Sequence, residues 1–158
     1  MKVKGILAED FCNYKVPSMF IISAVCDWKC CIEANVDISI CQNAALSSSP
    51  ALEISDNDIF EMYRKNDITK AIVIGGLEPM MQLDEVEALL SLFRNRGCND
   101  IFVIYTGYYP DEISGELKRL HGRNVIVKFG RFIPNSKSRY DELLGVTLAS
   151  ENQYAQFV

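Results

Sequence analysis

Short β-rich runs alternate along the chain with helical patterns, and this alternation limits the possible folds more than any other feature of the sequence. Each run contains several branched or aromatic residues close together. The runs are Met19–Val25, Lys70–Ile74, Asp100–Tyr105 and Asn124–Phe129. Such runs are typical of strands buried on both faces of a sheet. The sequence therefore predicts an α/β protein with a mostly parallel sheet.

Apolar residues at helical spacing lie between these runs and predict helices that pack on the sheet. Ser55 and Asp58 resemble a capping box at one helix start, and Gly97 and Gly122 stand where helices are expected to end. The three helical patterns are Asp56–Lys65, then Leu83, Val86, Leu89, Leu90 and Phe93, then Ile113, Leu117 and Leu120. The polar stretch Ala44–Ala51 is expected to be a surface loop, and the last residues contain an apolar piece that can return to the sheet edge.

The composition narrows the class of protein. A chain of 158 residues, of which 49% are apolar, is long enough for one compact domain. The formal charge is −5 and no dense cluster of Lys and Arg occurs, which argues against binding to nucleic acid. The longest apolar run, Met19–Cys26, is too short to span a bilayer. We expect a cytoplasmic protein with neither nucleic acid nor a membrane as partner.

Six cysteines are many for a chain in a reducing compartment, where disulfides do not persist. Cys12 and Cys98 are expected to be small buried apolar residues. The other four occur in a single loop that follows the first predicted strand, and their clustering indicates a metal centre or thiol chemistry. These clustered cysteines are Cys26, Cys30, Cys31 and Cys41. The single histidine excludes zinc sites with two histidines.

Residues with ligand-binding potential also follow the other three predicted strands. Gly75 and Gly76 come after the second run, within the segment Gly-Gly-Leu-Glu-Pro. Thr106 comes after the third run, and Gly130 and Arg131 come after the fourth. Glycines at a strand end let a ligand approach the backbone, although a plain turn has the same sequence. Ligands of β/α folds bind beyond the carboxyl ends of the strands, so these loops are expected to meet at one site.

Together these segments resemble the radical S-adenosylmethionine superfamily, and within it the activating proteins of anaerobic (class III) ribonucleotide reductases. The resemblance covers nearly the whole chain and implies one domain over residues 1–158, folded as a small partial (β/α) barrel. It is carried by Cys26-x3-Cys30, Cys41-Gln42-Asn43, Gly75-Gly76-Leu77-Glu78-Pro79, Tyr105-Thr106-Gly107-Tyr108 and Ala149-Ser150-Glu151-Asn152-Gln153.

The resemblance implies a 4Fe-4S cluster held by three cysteines, with S-adenosylmethionine bound through its amino and carboxylate groups to the fourth iron. The family motif is C-x3-C-x2-C, but Glu33 occupies the position of its third cysteine here. If the loop carries an insertion, the ligands are Cys26, Cys30 and Cys41. Cys31 is the alternative third ligand.

The resemblance also implies which residues contact S-adenosylmethionine, although it assigns no catalytic side chain. Thr106 is a weaker candidate, since it is equally compatible with a strand end, and a surface ion pair is the alternative for Arg131. The implied cofactor-binding residues are Gly75, Gly76, Glu78, Thr106 and Arg131.

The implied function is that of a glycyl-radical activating enzyme, a radical oxidoreductase. An external donor such as flavodoxin or ferredoxin reduces the cluster, and cleavage of S-adenosylmethionine yields a 5′-deoxyadenosyl radical. This radical takes hydrogen from a glycine of the partner, expected to be the anaerobic ribonucleoside-triphosphate reductase. The broken cysteine spacing leaves an alternative open, a non-catalytic iron-sulfur or zinc-binding interaction module on the same fold.

Overall fold

The computed structural model describes all residues from Met1 to Val158. Its strands are β1 (Lys2–Asp10), β2 (Ser18–Ser23), β3 (Leu52–Glu53), β4 (Ala71–Gly75), β5 (Ile101–Tyr105), β6 (Val125–Phe129), β7 (Arg139–Asp141), β8 (Val146–Leu148) and β9 (Tyr154–Phe157). Its α-helices are α1 (Lys29–Ala34), α2 (Ala44–Ser48), α3 (Asp56–Arg64), α4 (Leu83–Asn95) and α5 (Ser114–Leu120). Two 3₁₀ helices cover Ile38–Ile40 and Pro79–Gln82.

Seven strands form one open sheet in the order β3-β1-β2-β4-β5-β6-β9. Neighbouring strands are parallel from β2 through β4 and β5 to β6, and the strands outside this block pair antiparallel. Each predicted β-rich run forms one of the parallel strands. The predicted α/β fold with a mostly parallel sheet is therefore confirmed.

Helices α3, α4 and α5 contribute to a hydrophobic core on one face of the parallel block. Phe93 of α4 is fully buried at its centre. Its ring centroid lies 5.0 Å from that of Phe60 and 5.2 Å from that of Phe102, in edge-to-face contact. The predicted cap of α3 is present, because Ser55 Oγ accepts a hydrogen bond from the backbone of Asp58 at 3.1 Å.

A second, smaller hydrophobic core contains other side chains of the same strands. Val73, Val103 and Ile126 pack there against Leu144 and Leu148, which belong to the hairpin segment of β7 and β8. In a strand, successive side chains point to opposite faces, so this core lies on the other face of the sheet. The carboxyl ends of the parallel strands are thus flanked by helices on one face and by this hairpin on the other.

The structure corrects one expectation about the fold and adds strands that the sequence did not predict. Ala44–Ser48 forms the short helix α2 instead of a surface loop, and Ser47 and Ser49 hydroxyls bond to carbonyls three residues earlier. β1 was not predicted, because it is largely exposed and lacks a dense apolar run. The expected return of the tail is confirmed, since β9 pairs with β6. None of the helices combines the length and apolarity needed to cross a membrane.

Replacing Phe93 with Ala is expected to destabilise the protein by about 3–5 kcal/mol, because it empties the centre of the helix-side core. Urea unfolding followed by circular dichroism measures this loss. Met62→Ala on α3 is the control, since that side chain is 41% exposed and its truncation is expected to cost less than about 0.5 kcal/mol. Equal effects of the two substitutions would contradict the packing described.

Candidate metal centre

The loops that follow the four parallel strands surround one cavity of about 580 Å³. The carboxyl ends of parallel strands meet at one edge of a sheet, which is why these distant segments come together. The β1–β2 connection and the β7–β8 hairpin complete the wall. Residues contributed by the strand-end loops include Cys26, Cys30, Cys31, Cys41, Gly76, Glu78, Thr106, Gly107 and Gly130.

The loop after β2 carries the clustered cysteines and is shaped by local hydrogen bonds. Trp28 adopts a left-handed conformation (φ 60°) immediately before α1, and its backbone N–H donates to Cys26 Sγ at 3.4 Å. Asp27 Oδ1 accepts from the Lys29 backbone at 3.1 Å. Helix α1 ends at Asn35, which is also left-handed (φ 51°), a conformation that Asn tolerates well. The chain then continues through the 3₁₀ turn Ile38–Ile40 to Cys41.

All four thiols of this loop line the cavity. Burial raises the pKa of the Cys26 thiol to about 12 and also raises the pKa values of Cys30 and Cys31. At Cys30, the positive charge of Lys128 opposes this rise in the pKa. These three thiols are therefore protonated at neutral pH before metal binds, and metal binding releases their protons.

The side chains do not form a ready-made site for a single ion: no group of three or more Cys, His, Asp or Glu residues is arranged to hold one. The cysteines of a multi-iron cluster bind different metal atoms and need not meet at one point. A loop with several thiols along one cavity wall suits that kind of ligand.

The glycine loop after β4 brings backbone to the cavity. Gly76 has a φ of +82°, and a Cβ there would lie 2.6 Å from Ile22 Cγ2, so no other residue fits without strain. Gly75 ends the strand, and its carbonyl accepts a hydrogen bond from Ser23 Oγ at 2.9 Å. Of the two predicted glycines, Gly76 lines the cavity and Gly75 does not.

Glu78 is buried and joins three of the strand-end loops. Its backbone N–H donates to the Val25 carbonyl at 2.7 Å. Its carboxylate accepts hydrogen bonds from Thr106 Oγ1 at 2.7 Å, the Gly107 N–H at 2.8 Å and the Met80 N–H at 3.0 Å. Burial raises the pKa of this carboxyl, and the hydrogen bonds oppose that rise. Glu78 and Thr106, both predicted to contact a cofactor, thus bind each other at the cavity wall.

Gly107 is a site residue to which the sequence assigned no role. A Cβ at this position would lie 2.9 Å from Cys30 Sγ and 3.5 Å from Glu78 Oε2. The missing side chain therefore leaves room for the thiol and its surroundings. The sequence feature that points to Gly107 is its position directly after Thr106, at the end of a predicted strand.

A family model described as a 4Fe-4S single cluster domain matches residues 19–154. The chain belongs to this family. The matched range includes the cysteine loop, the glycine loop and the carboxyl ends of all four parallel strands. No curated protein and no solved structure matches the chain significantly.

The site suits the single 4Fe-4S cluster of this family. Thiolates are the ligands of such clusters, and the cavity wall supplies more thiols than a three-cysteine cluster needs. The space that Gly107 leaves beside Cys30 is consistent with a bulky group at that thiol. The choice of Cys26, Cys30 and Cys41 as ligands stays a prediction.

Arg131 holds the cysteine helix of this 4Fe-4S domain against the rest of the site. Its guanidinium donates to Glu33 Oε1 of α1 at 2.9 Å and to Glu112 Oε2 at 2.7 Å. Lys29, at the start of α1, also pairs with Glu112. The ion pair weighed for Arg131 is therefore present, with a buried guanidinium and two partly exposed carboxylate partners. Arg131 does not line the cavity, and its predicted contact with a cofactor carboxylate stays a prediction.

Lys128 and Cys12 also line the cavity, although neither was selected from the sequence. The signal for Lys128 was a lone charge inside an apolar strand. Cys12 is exposed, which corrects the expectation that it is buried, because it lies in the β1–β2 connection and outside both cores. Cys98 is half-buried and packs against the helix-side core, away from the cavity.

Cys41→Ala is expected to abolish binding of the cluster, whereas Cys31→Ala keeps near-normal iron content. Cys30 and Cys31 are consecutive residues of α1 and point in different directions, so both cannot face the same cluster without strain. Iron and sulfide per chain after anaerobic reconstitution measure the difference. Cys98→Ala is the matched control and is expected to keep the full cluster. The reverse result for positions 31 and 41 would make Cys31 the third ligand.

Glu112→Gln is expected to lower the free energy of unfolding by about 1 kcal/mol at pH 7, because Arg131 is buried but Glu112 is partly exposed, so that solvent screens their attraction. Arg131 holds the pKa of Glu112 far below its usual range. The stabilisation is therefore fully present above the unfolded-state pKa of about 4.3 and is lost progressively as pH falls from there toward the lower folded-state pKa. Denaturant unfolding of wild type and variant between pH 7 and pH 3 tests this, and the difference between the two stabilities is expected to shrink toward pH 3.

Glu61→Gln is the control for this pH series, because Glu61 pairs with Arg64 on an exposed surface of α3. Exposed pairs contribute little, so this variant is expected to follow wild type at every pH. A difference between wild type and Glu112→Gln that stays constant down to pH 3 would contradict the ionic origin of the effect.

Proposed function

We propose that this 4Fe-4S domain is a radical S-adenosylmethionine enzyme of the glycyl-radical activating class. One observation carries the proposal: the cysteine loop, the backbone of Gly76 and the Thr106–Gly107 segment line the same cavity. A volume of about 580 Å³ is in the range of small-molecule sites. A cluster and a polar small molecule can therefore bind next to each other in this cavity.

The residues of the wall have complementary tasks in this proposal. Cys26, Cys30 and Cys41 hold three irons, which leaves one iron for the amino and carboxylate groups of S-adenosylmethionine. The glycine loop presents backbone to the ammonium group, and Gly76 provides the close approach because it lacks a Cβ. Thr106 is buried, and its hydrogen bond to Glu78 holds the glycine loop next to the end of β5.

When bound, the reduced cluster and S-adenosylmethionine supply reductive cleavage of the sulfonium to methionine and a 5′-deoxyadenosyl radical, which takes hydrogen from a glycine. The chain's part is to orient the two groups and to exclude water from them. The β7–β8 hairpin and the β1–β2 connection contribute to exclusion, since Leu148 and Cys12 close one side of the cavity.

Exposed apolar residues on the cysteine loop support a protein as the partner. Ile32, Ile38 and Ile40 are 70%, 43% and 53% exposed, and they flank cysteines that line the cavity. Apolar residues that cluster on a surface mark protein contacts. In this proposal a glycine-bearing loop of anaerobic ribonucleoside-triphosphate reductase docks there, and flavodoxin or ferredoxin supplies the electron.

The four thiols in the wall suggest a second candidate, a domain whose cluster is fully ligated by Cys26, Cys30, Cys31 and Cys41. Such a cluster has no open iron and serves electron transfer or structure, but it requires α1 to deform, since Cys30 and Cys31 are consecutive residues of that helix. The zinc form of this candidate, an interaction module without redox chemistry, requires the thiols to converge, since they are not arranged around a single ion.

The test is release of 5′-deoxyadenosine and methionine from S-adenosylmethionine by the reconstituted, chemically reduced protein. We expect both products in equal amounts. Gly76→Ala is expected to lower their release at least about tenfold, since crowding at the glycine loop displaces the ligand, while iron content stays normal. Gly97→Ala is the matched control, because Gly97 has a similar φ of +79° and no neighbours within 4 Å of a Cβ.

A protein that holds four irons and releases neither product would contradict the activity and favour the fully ligated cluster. Stoichiometric zinc without sulfide in the purified protein would favour the zinc module. Equal loss of activity in the Gly76 and Gly97 variants would show that backbone strain, and not the cavity, is responsible.

A further inference from the structure

Lys128 is a buried charge without an ionic partner. Its residue is 6% exposed and lies in β6, where the neighbouring side chains are apolar. It takes part in none of the ion pairs of the molecule. An ammonium group has three donors, but Nζ makes one hydrogen bond, to the Gly130 carbonyl at 3.0 Å. Burial of an unpaired charge is costly unless an anion compensates it.

The surroundings of Lys128 show where that anion belongs. The side chain lines the cavity together with the cysteines, and its charge acts on the thiol of Cys30. Glu78 is the nearby carboxylate, but its oxygens already accept from Thr106, Gly107 and Met80. The Tyr105 ring lies on another side, 5.9 Å from Nζ. The side chain that carries the free donors therefore lines the cavity that contains the thiols.

We propose that Lys128 is an internal counter-ion for the 4Fe-4S cluster and raises its reduction potential. A cluster held by thiolates gains one negative charge on reduction. A fixed positive charge in a buried site therefore stabilises the reduced form more than the oxidised form. The inference rests on the cluster shown by the family match and on Cys30 as a ligand, and it does not depend on cleavage of S-adenosylmethionine.

The experiment is a redox titration of the reconstituted full chain, without S-adenosylmethionine, followed by electron paramagnetic resonance. Lys128→Met, which keeps the length and removes the charge, is expected to shift the midpoint potential in the negative direction. Lys128→Arg is expected to restore most of it. Lys118→Met on α5 changes the net charge equally at an exposed position and is expected to leave the potential unchanged.

Two results of the titration would overturn the proposal. The first is an unchanged potential in Lys128→Met; if this variant also binds S-adenosylmethionine more weakly, the lysine belongs to that ligand's carboxylate. The second is a shift of equal size in Lys118→Met, which would reflect net charge alone.

If Lys128→Met does not hold the cluster, its potential cannot be measured, and the cluster contents of Lys128→Gln and Lys128→Arg are compared instead. Cluster content restored by Arg but not by Gln would support the counter-ion, since both replacements are polar and Arg alone is charged. Failure of all three variants to hold the cluster would show that the shape of the lysine matters and would overturn the proposal.

Discussion

The buried carboxylate of Glu78 is the interaction on which the site depends. It accepts hydrogen bonds from Thr106, Gly107 and Met80, while its backbone N–H reaches Val25. The loops after β2, β4 and β5 are thereby tied to one point at the carboxyl edge of the sheet. Each hydrogen bond contributes a modest net stabilisation, but a donor left without its acceptor in this buried place costs about 1–3 kcal/mol. These hydrogen bonds thus hold the starts of the three loops together at the edge of the cavity.

Positive charges complement the cysteine loop from two directions. Arg131 pairs with Glu33 and Glu112 and holds the outside of α1. Lys128 lines the cavity together with the thiol of Cys30. The first interaction positions the cysteine helix, and the second, in our proposal, raises the reduction potential of the cluster. Both residues lie at or just after the end of β6. One short segment therefore supplies both the charge that holds α1 and the charge that lines the cavity.

The sequence predicted the parts of this molecule that depend on strong local patterns. Four dense apolar runs became the parallel strands, and the loops after them formed the site, since the topology of such a sheet brings strand ends together. It did not predict β1 or the β7–β8 hairpin, whose residues are partly exposed and carry no dense run. The contact of Arg131 with Glu33 joins residues far apart in the chain. The burial of Lys128 depends on tertiary packing that periodicity does not describe.

In our proposal, three thiols hold the cluster and leave one iron for an amino acid group. Mössbauer spectroscopy of protein reconstituted with ⁵⁷Fe tests this arrangement directly. We expect S-adenosylmethionine to change the spectrum of a single iron while the other three keep theirs. Four irons that remain unaffected by a saturating amount of S-adenosylmethionine would contradict it and would indicate a cluster fully ligated by cysteines.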